Sequence, residues 1–107
     1  MAVNVTIECE GVTEKEYDAI NKELGLDMDT GHGDWPKGLR SHTAGMHEKG
    51  HLVVIEVWDT RQHQEEFMES KLGALMAKFN VQPSSITWHD VLSHHAIQKD
   101  PVPRSKK

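Results

Sequence analysis

The strongest constraint on the fold comes from residues 38–58, where two apolar stretches flank a short turn sequence. Glu48-Lys49-Gly50 fits a three-residue hairpin loop, in which a type I turn is followed by a glycine in the left-handed region. The turn fixes the pairing of the two strands, and it places His42 opposite Glu56. The sequence therefore predicts a β-hairpin that carries a polar pair between its strands.

The two faces of this hairpin differ in character, because side chains alternate between the faces of a strand. One face has the composition of an ordinary core; it holds Leu39, Ser41, Thr43, Val53, Ile55 and Val57. The other face mixes apolar and titratable residues, as a pocket lining does; it holds Arg40 opposite Trp58, His42 opposite Glu56, and also Ala44, Met46, Leu52 and Val54. We expect the first face to pack under helices and the second to point away from them.

The segments around the hairpin complete a β-α-β-β-α-β order. Residues 3–9 alternate between apolar and polar, which predicts a strand. Thr13 begins a capping-box sequence ahead of a helix over about 14–24, and an apolar stripe predicts a second helix over about 61–79. A last strand is predicted over about 86–93. This order is that of an α+β, ferredoxin-like fold with a four-stranded antiparallel sheet. A second copy of the chain is the simplest cover for the sheet face that the helices leave open.

Composition narrows the domain organisation and the classes of partner. The 107 residues suit one domain, which we assign to 1–95, with a mobile C-terminal tail over 96–107. A net charge of −5 argues against nucleic-acid binding, and no apolar run is long enough to span a bilayer. Cys9 is the single cysteine, so no intramolecular disulfide can form. We therefore expect a cytoplasmic protein.

Several short motifs resemble the dimeric α/β-barrel superfamily, and within it the small antibiotic-biosynthesis-monooxygenase-like proteins. The resemblance extends over residues 2–93. The motifs that carry it are Gly38-Leu-Arg-Ser-His42, Val57-Trp58 at the end of strand 3, Thr60 to Phe67 at the start of helix 2, and Pro83 before the last strand. It implies a homodimer in which two sheets face each other and enclose a barrel. It also implies cofactor-independent monooxygenation of a small aromatic or polyketide-like substrate.

The resemblance and the polar pair together suggest roles for individual residues. His42 would abstract a proton as general base, Glu56 would orient it, and Arg40 would stabilise the resulting enolate. Three further residues are candidates for substrate binding: Trp58, Asn4 and His89. Oxygen would react with the carbanion directly, so no cofactor is expected. Two alternatives stay open, which are a non-catalytic protein that binds a small ligand and a polyketide-cyclase-like enzyme.

Haem and metal sites are not expected from the sequence. The haem-degrading branch of the superfamily uses a Trp and an iron-binding His where this chain has Phe67 and Ala77. His47 faces His51 across the hairpin turn, and a second histidine pair occupies 94–95. A metal site usually needs three or four ligands in one place. Two pairs at different ends of the sheet do not supply that number.

Overall fold

The computed structural model describes residues 1–104. The elements in chain order are β1 (Val3–Cys9), α1 (Glu14–Leu24), β2 (Leu39–Met46), β3 (Leu52–Trp58), α2 (Arg61–Phe67), a π-helical segment (Met68–Leu72), α3 (Gly73–Lys78) and β4 (Ser85–Asp90). Within the described residues the strands form one antiparallel sheet in the order β2-β3-β1-β4. The predicted α+β, ferredoxin-like fold is confirmed.

The local signals that bound α1 and the hairpin act as predicted. Thr13 accepts a hydrogen bond from the backbone N–H of Lys15 through its hydroxyl, which also donates to Glu16 at 2.7 Å. Gly25 ends α1 with φ 78°, a left-handed conformation that costs glycine little. Gly50 adopts φ 91° in the hairpin turn. These boundaries follow from a few residues, so they can be inferred without the tertiary structure.

The register of the hairpin agrees with the prediction at its centre and departs from it at one end. His42 lies opposite Glu56, as predicted. An irregularity between Leu39 and Ser41 shifts the pairing, so that Leu39 rather than Arg40 lies opposite Trp58. The predicted Arg40–Trp58 pair was therefore wrong, because a bulge inserts one extra residue in β2.

The second helical region is interrupted, although its sequence predicts one continuous helix. The backbone N–H of Gly73 donates to the carbonyl of Met68, five residues earlier, which defines the π-helical segment. A Cβ atom at Gly73 would lie 2.8 Å from that carbonyl oxygen, so glycine suits this close approach. The predicted apolar stripe nevertheless packs against the core through Leu72, Leu75, Met76 and Phe79.

The helices cover the opposite face of the hairpin from the one predicted. The buried core consists of Val3, Val5, Ile7, Cys9, Val12, Ile20, Leu52, Trp58 and Val81. Val5 lies opposite Glu56 in the β1–β3 register, so the His42–Glu56 pair faces the helices. Ile55, on the other face, is left 42% exposed. Burial of the large Trp58 side chain, which is 0% exposed, favours this arrangement.

The last strand and the C-terminal segment complete the described chain. Trp88 lies opposite Val5, so its side chain is on the helix side of the sheet, and Leu92, which follows β4, is exposed. Residues 91–104 contain no helix or strand, and Arg104 forms ion pairs with α1. Residues 105–107 of the predicted tail lie outside the described residues, and the mobility of the tail stays a prediction. None of the helices in residues 1–104 has the length and apolar character needed to cross a membrane.

Candidate active site

A continuous chain of hydrogen bonds runs between α1 and the sheet. Tyr17 Oη lies 2.7 Å from His42 Nε2, and His42 Nδ1 lies 2.7 Å from Glu56 Oε2. Trp58 donates its indole Nε1–H to the other carboxylate oxygen, Glu56 Oε1, at 3.1 Å. The side chains of His42 and Glu56 are only 13% and 12% exposed. These four residues form one shielded polar network inside an apolar layer.

The partners of Glu56 define the direction of the protons in this network. Trp58 donates to one of its oxygens, and an ionised carboxylate only accepts hydrogen bonds, so the second oxygen also requires a donor. His42 Nδ1 must then carry a proton, and in the neutral ring Nε2 is left as an acceptor for the Tyr17 hydroxyl. Burial raises the pKa of Tyr17, so its hydroxyl keeps the proton that it donates. The basic atom of the network is therefore His42 Nε2.

Aromatic rings hold the imidazole from two sides. The Tyr17 and His42 rings are nearly parallel, with an interplanar angle of 7° and centroids 6.0 Å apart, and their edges meet through the Oη–Nε2 hydrogen bond. Trp35 belongs to the loop between α1 and β2. Its ring centroid lies 5.6 Å from that of the same imidazole, and the two ring planes are tilted by 51°. The Trp35 indole N–H donates to the carbonyl of Gly31 at 2.8 Å, which fixes the ring within its loop. The orientation of His42 is thus set by packing as well as by hydrogen bonds.

Two cavities meet at these rings. An apolar cavity of about 90 Å³ lies between the helices and the sheet, and its lining includes Tyr17, Trp35, His42 and Glu56. A wider, open groove of about 840 Å³ runs along β2 and is bordered by residues 96–104 of the C-terminal segment. Tyr17, Trp35 and His42 line both spaces. These three side chains form the wall between the groove and the apolar cavity, and a molecule in the groove can contact them.

Asn21 adds a polar group to the apolar cavity. Its side chain lines the cavity four residues after Tyr17 on α1, and the residue is 7% exposed. The Nδ2 atom is buried and makes no hydrogen bond of good geometry among the described residues, although the Asn21 side chain is close enough to Tyr17 to lower the pKa of its hydroxyl. An unpaired buried donor costs about 1–3 kcal/mol, so such groups are uncommon in a core. This donor is available to an oxygen atom of a bound molecule.

The structure brings together only part of the residue set that the sequence suggested. His42 and Glu56 are paired, and Trp58 contacts Glu56 as a fully buried support rather than as a pocket edge. Arg40 borders the open groove, is exposed, and binds Asp59 at 2.5 Å.

The remaining two candidates lie on the other side of the sheet. Asn4 and His89 are opposite each other in the β1–β4 register, one position away from the row that contains Val5. They therefore point away from the helices and from His42.

Three residues of the site were not singled out in the sequence: Tyr17, Asn21 and Trp35. In the sequence Tyr17 has the spacing of an apolar helix face with Ile20 and Leu24, and Trp35 lies in a loop without a recognisable motif. The spacing of Tyr17 and Asn21 was a usable signal, because residues four apart share one helix face. A polar Asn beside the buried face of an amphipathic helix marks a position worth examining.

This chain resembles known proteins in structure rather than in sequence. No protein-family model matches the sequence, and no curated protein matches it significantly. A structural-genomics protein, YJCS, superposes with a TM-score of 0.60 at 11% identity, covering 85% of this chain and 99% of its own. A candidate antibiotic biosynthesis monooxygenase from Chloroflexus aurantiacus has a TM-score of 0.58 at 14% identity, with coverage of 91% and 97%.

A third solved structure agrees with these two. Rv0793 from Mycobacterium tuberculosis superposes with a TM-score of 0.56 at 16% identity, covering 89% of this chain and 97% of its own. Identities this low establish the fold and not the chemistry. The chain therefore has the ferredoxin-like α+β fold that is shared by antibiotic-biosynthesis-monooxygenase-like structures.

Proposed function

We propose that this chain catalyses cofactor-independent oxygenation of a small aromatic or polyketide-like substrate, with His42 as the general base. The observation that carries the proposal is the network Tyr17–His42–Glu56 at the wall between an open groove and an apolar cavity. A buried His that a carboxylate orients is a recurrent arrangement for proton abstraction. The fold of candidate antibiotic biosynthesis monooxygenases agrees with this class of reaction.

The first step is removal of a proton from an activated carbon of the substrate. His42 Nε2 receives this proton, either after the Tyr17 hydroxyl turns aside or through that hydroxyl as a relay. The imidazolium that forms is stabilised by Glu56 at Nδ1, 2.7 Å away. The substrate is left as an enolate or phenolate, and the unpaired Asn21 Nδ2 supplies a hydrogen bond to its oxygen.

Dioxygen is the second substrate. For a methylene group activated by a neighbouring carbonyl and aromatic ring, the carbanion adds O₂, and the resulting peroxide anion takes the proton back from the His42 imidazolium to give a hydroperoxide. Loss of water then leaves a new carbonyl at that carbon, so one CH₂ and one O₂ become one C=O and one H₂O. The apolar lining suits this step, because it admits dioxygen and excludes competing water.

The size of the apolar cavity limits how a substrate can bind. An engineered protein cavity that holds benzene has a volume of about 150 Å³, whereas this cavity has about 90 Å³. An aromatic ring therefore does not fit inside without movement of the surrounding side chains. We expect the body of the substrate to occupy the open groove, with its reacting carbon at the wall beside His42.

A pair of histidine variants tests the role of His42. Protein freed of metal and flavin is incubated with an anthrone-type substrate in air, and dioxygen uptake and product are measured. His42→Ala should lower turnover by about 10²–10⁴-fold, the usual contribution of a general base. His89→Ala is the matched control, because His89 lies on the opposite sheet face and is exposed. Glu56→Gln should have a smaller effect, since it keeps a partner for Nδ1 but loses the charge.

The outcome separates the proposal from its alternatives. Equal turnover in wild type, His42→Ala and His89→Ala would contradict the catalytic role of His42. Saturable substrate binding without dioxygen uptake would instead favour a protein that only holds a small ligand. A rearranged product formed without dioxygen would favour the cyclase alternative.

We also propose that the protein is a homodimer that pairs through the sheet face opposite the helices. The surface predicted from the sequence was the wrong one, because Val54 and Trp58 face the core. The open face instead presents Val53, Ile55 and Val57 on β3, with Thr6 and Thr43 opposite Ile55. An apolar strip of this kind on a sheet gains free energy from burial against a second copy.

A further inference from the structure

Three potential metal ligands meet at the end of the sheet where the hairpin turns. They are Glu8 on β1, His47 directly after β2 and His51 directly before β3. One ligand atom from each lies within 4.8 Å of the other two. His51 Nε2 is 2.9 Å from Glu8 Oε1, and the rings of His47 and His51 are stacked with centroids 4.5 Å apart.

The fold itself creates this cluster. The hairpin turn joins His47 to His51 through a backbone hydrogen bond of 2.7 Å. The β1–β3 register then places Glu8 opposite Val53, two residues from His51 and on the same face of that strand. This face is opposite the one that carries His42, so the cluster is separate from the proposed active site. Glu8 is at least 39 residues from either histidine in the chain, so the spacing of residues in the sequence does not indicate it as a third ligand.

We propose that Glu8, His47 and His51 bind one divalent transition-metal ion, with Zn²⁺ as the best match. Two imidazole nitrogens and one carboxylate oxygen suit Zn²⁺, whereas Mg²⁺ and Ca²⁺ prefer oxygen ligands. Tetrahedral Zn²⁺ with bonds of about 2.0–2.2 Å sets neighbouring ligand atoms roughly 3.3 Å apart. The His51–Glu8 distance of 2.9 Å is near that value, and three protein ligands leave the fourth position to water.

Metal binding requires two local changes. The proton shared between His51 and Glu8 must leave, since the ion takes its place. His47 must also give up a hydrogen bond, because its Nδ1 accepts the backbone N–H of Lys49 at 3.0 Å. Either Nδ1 binds the ion directly, or the ring changes tautomer, so that its proton moves from Nε2 to Nδ1 and Nε2 binds the ion. In both cases the Lys49 amide loses its acceptor, which gives a spectroscopic marker of His47 participation.

Titration of the metal-free full chain with ZnCl₂ tests the proposal. We expect one Zn²⁺ per chain by isothermal calorimetry, and affinity lowered roughly tenfold or more in Glu8→Gln, His47→Ala and His51→Ala, since each removes one ligand. The control is the double variant His94→Ala/His95→Ala, because that exposed pair lies outside the cluster. Its Zn²⁺ affinity should equal that of the wild type. Circular dichroism confirms that each variant is folded.

Nuclear magnetic resonance of the wild type provides a readout that needs no variant. Zn²⁺ should shift the Lys49 amide resonance and the ring signals of His47 and His51 together, and saturate at one equivalent. The proposal is overturned if the Lys49 amide does not respond to Zn²⁺. It is equally overturned if the three single variants bind like the wild type, or if only the His94/His95 double variant loses affinity.

Discussion

Tyr17 provides a direct test of the hydrogen-bonded network, because it is the one tyrosine in the chain. Phenolate absorbance therefore reports the ionisation of this residue alone. Burial is the main cause that raises the pKa of Tyr17, and the negative charge of Glu56 acts in the same direction. We expect the native protein to titrate above the ordinary tyrosine value of about 10, and the denatured chain to titrate near that value.

The Tyr17→Phe variant measures what the hydroxyl contributes to stability. Phenylalanine keeps the aromatic ring beside His42 but removes the 2.7 Å hydrogen bond to Nε2. A hydrogen bond of this kind contributes about 1 kcal/mol net to the free energy of unfolding. For a domain of this size that loss lowers the melting temperature by roughly 4–8 °C.

The pH dependence of this difference has a defined sign. A group whose folded pKa is raised contributes stability that is fully present below its unfolded pKa and is lost as pH rises through the folded pKa. The wild type should therefore exceed Tyr17→Phe in stability at neutral pH, and the difference should narrow in alkali. Urea denaturation of both proteins over a range of pH measures this difference in stability. The effect of lysine titration is the same in both proteins, so it cancels in the difference. Equal phenolate midpoints in native and denatured protein, or equal neutral-pH stabilities, would refute the reasoning.

Three further predictions follow from the burial pattern. Asn21→Leu should raise the free energy of unfolding by about 1 kcal/mol, because it removes an unpaired buried donor. The same variant should lower the turnover of the substrate. A loss of stability in thermal melts would show that Nδ2 has a partner in the folded protein. Ile55→Asp should halve the mass measured by sedimentation, since it places a charge on the proposed dimer face; unfolding instead would show that Ile55 belongs to the core. Cys9 is buried, and burial raises the pKa of its thiol. Alkylation of Cys9 should therefore be slow in the native protein and fast in urea. Equal alkylation rates in the two conditions would show that β1 opens readily.

Local chemistry was sufficient to predict the β-α-β-β-α-β order and the centre of the hairpin, but not the π-helical interruption of the second helical region. The Thr13 cap, the stop at Gly25 and the turn at Gly50 each depend on residues within a few positions of one another. The pairing of His42 with Glu56 follows from the turn alone. The bulge near Arg40 was not predictable in this way, because it changes the register without a turn residue to mark it.

The sequence also determined which side chains share a face of the hairpin, but only the tertiary structure decided which face meets the helices. The alternation of side chains shows which residues share a face, but it does not show which face is buried. Both faces of β3 carry apolar residues, so either face could pack under the helices. The choice depends on β1 and α1, which are distant in the chain. Packing beside Val5 puts Glu56 under α1, where Tyr17 completes the network. A helix residue that looks like core in sequence thus becomes part of the site, because long-range packing brings it to His42.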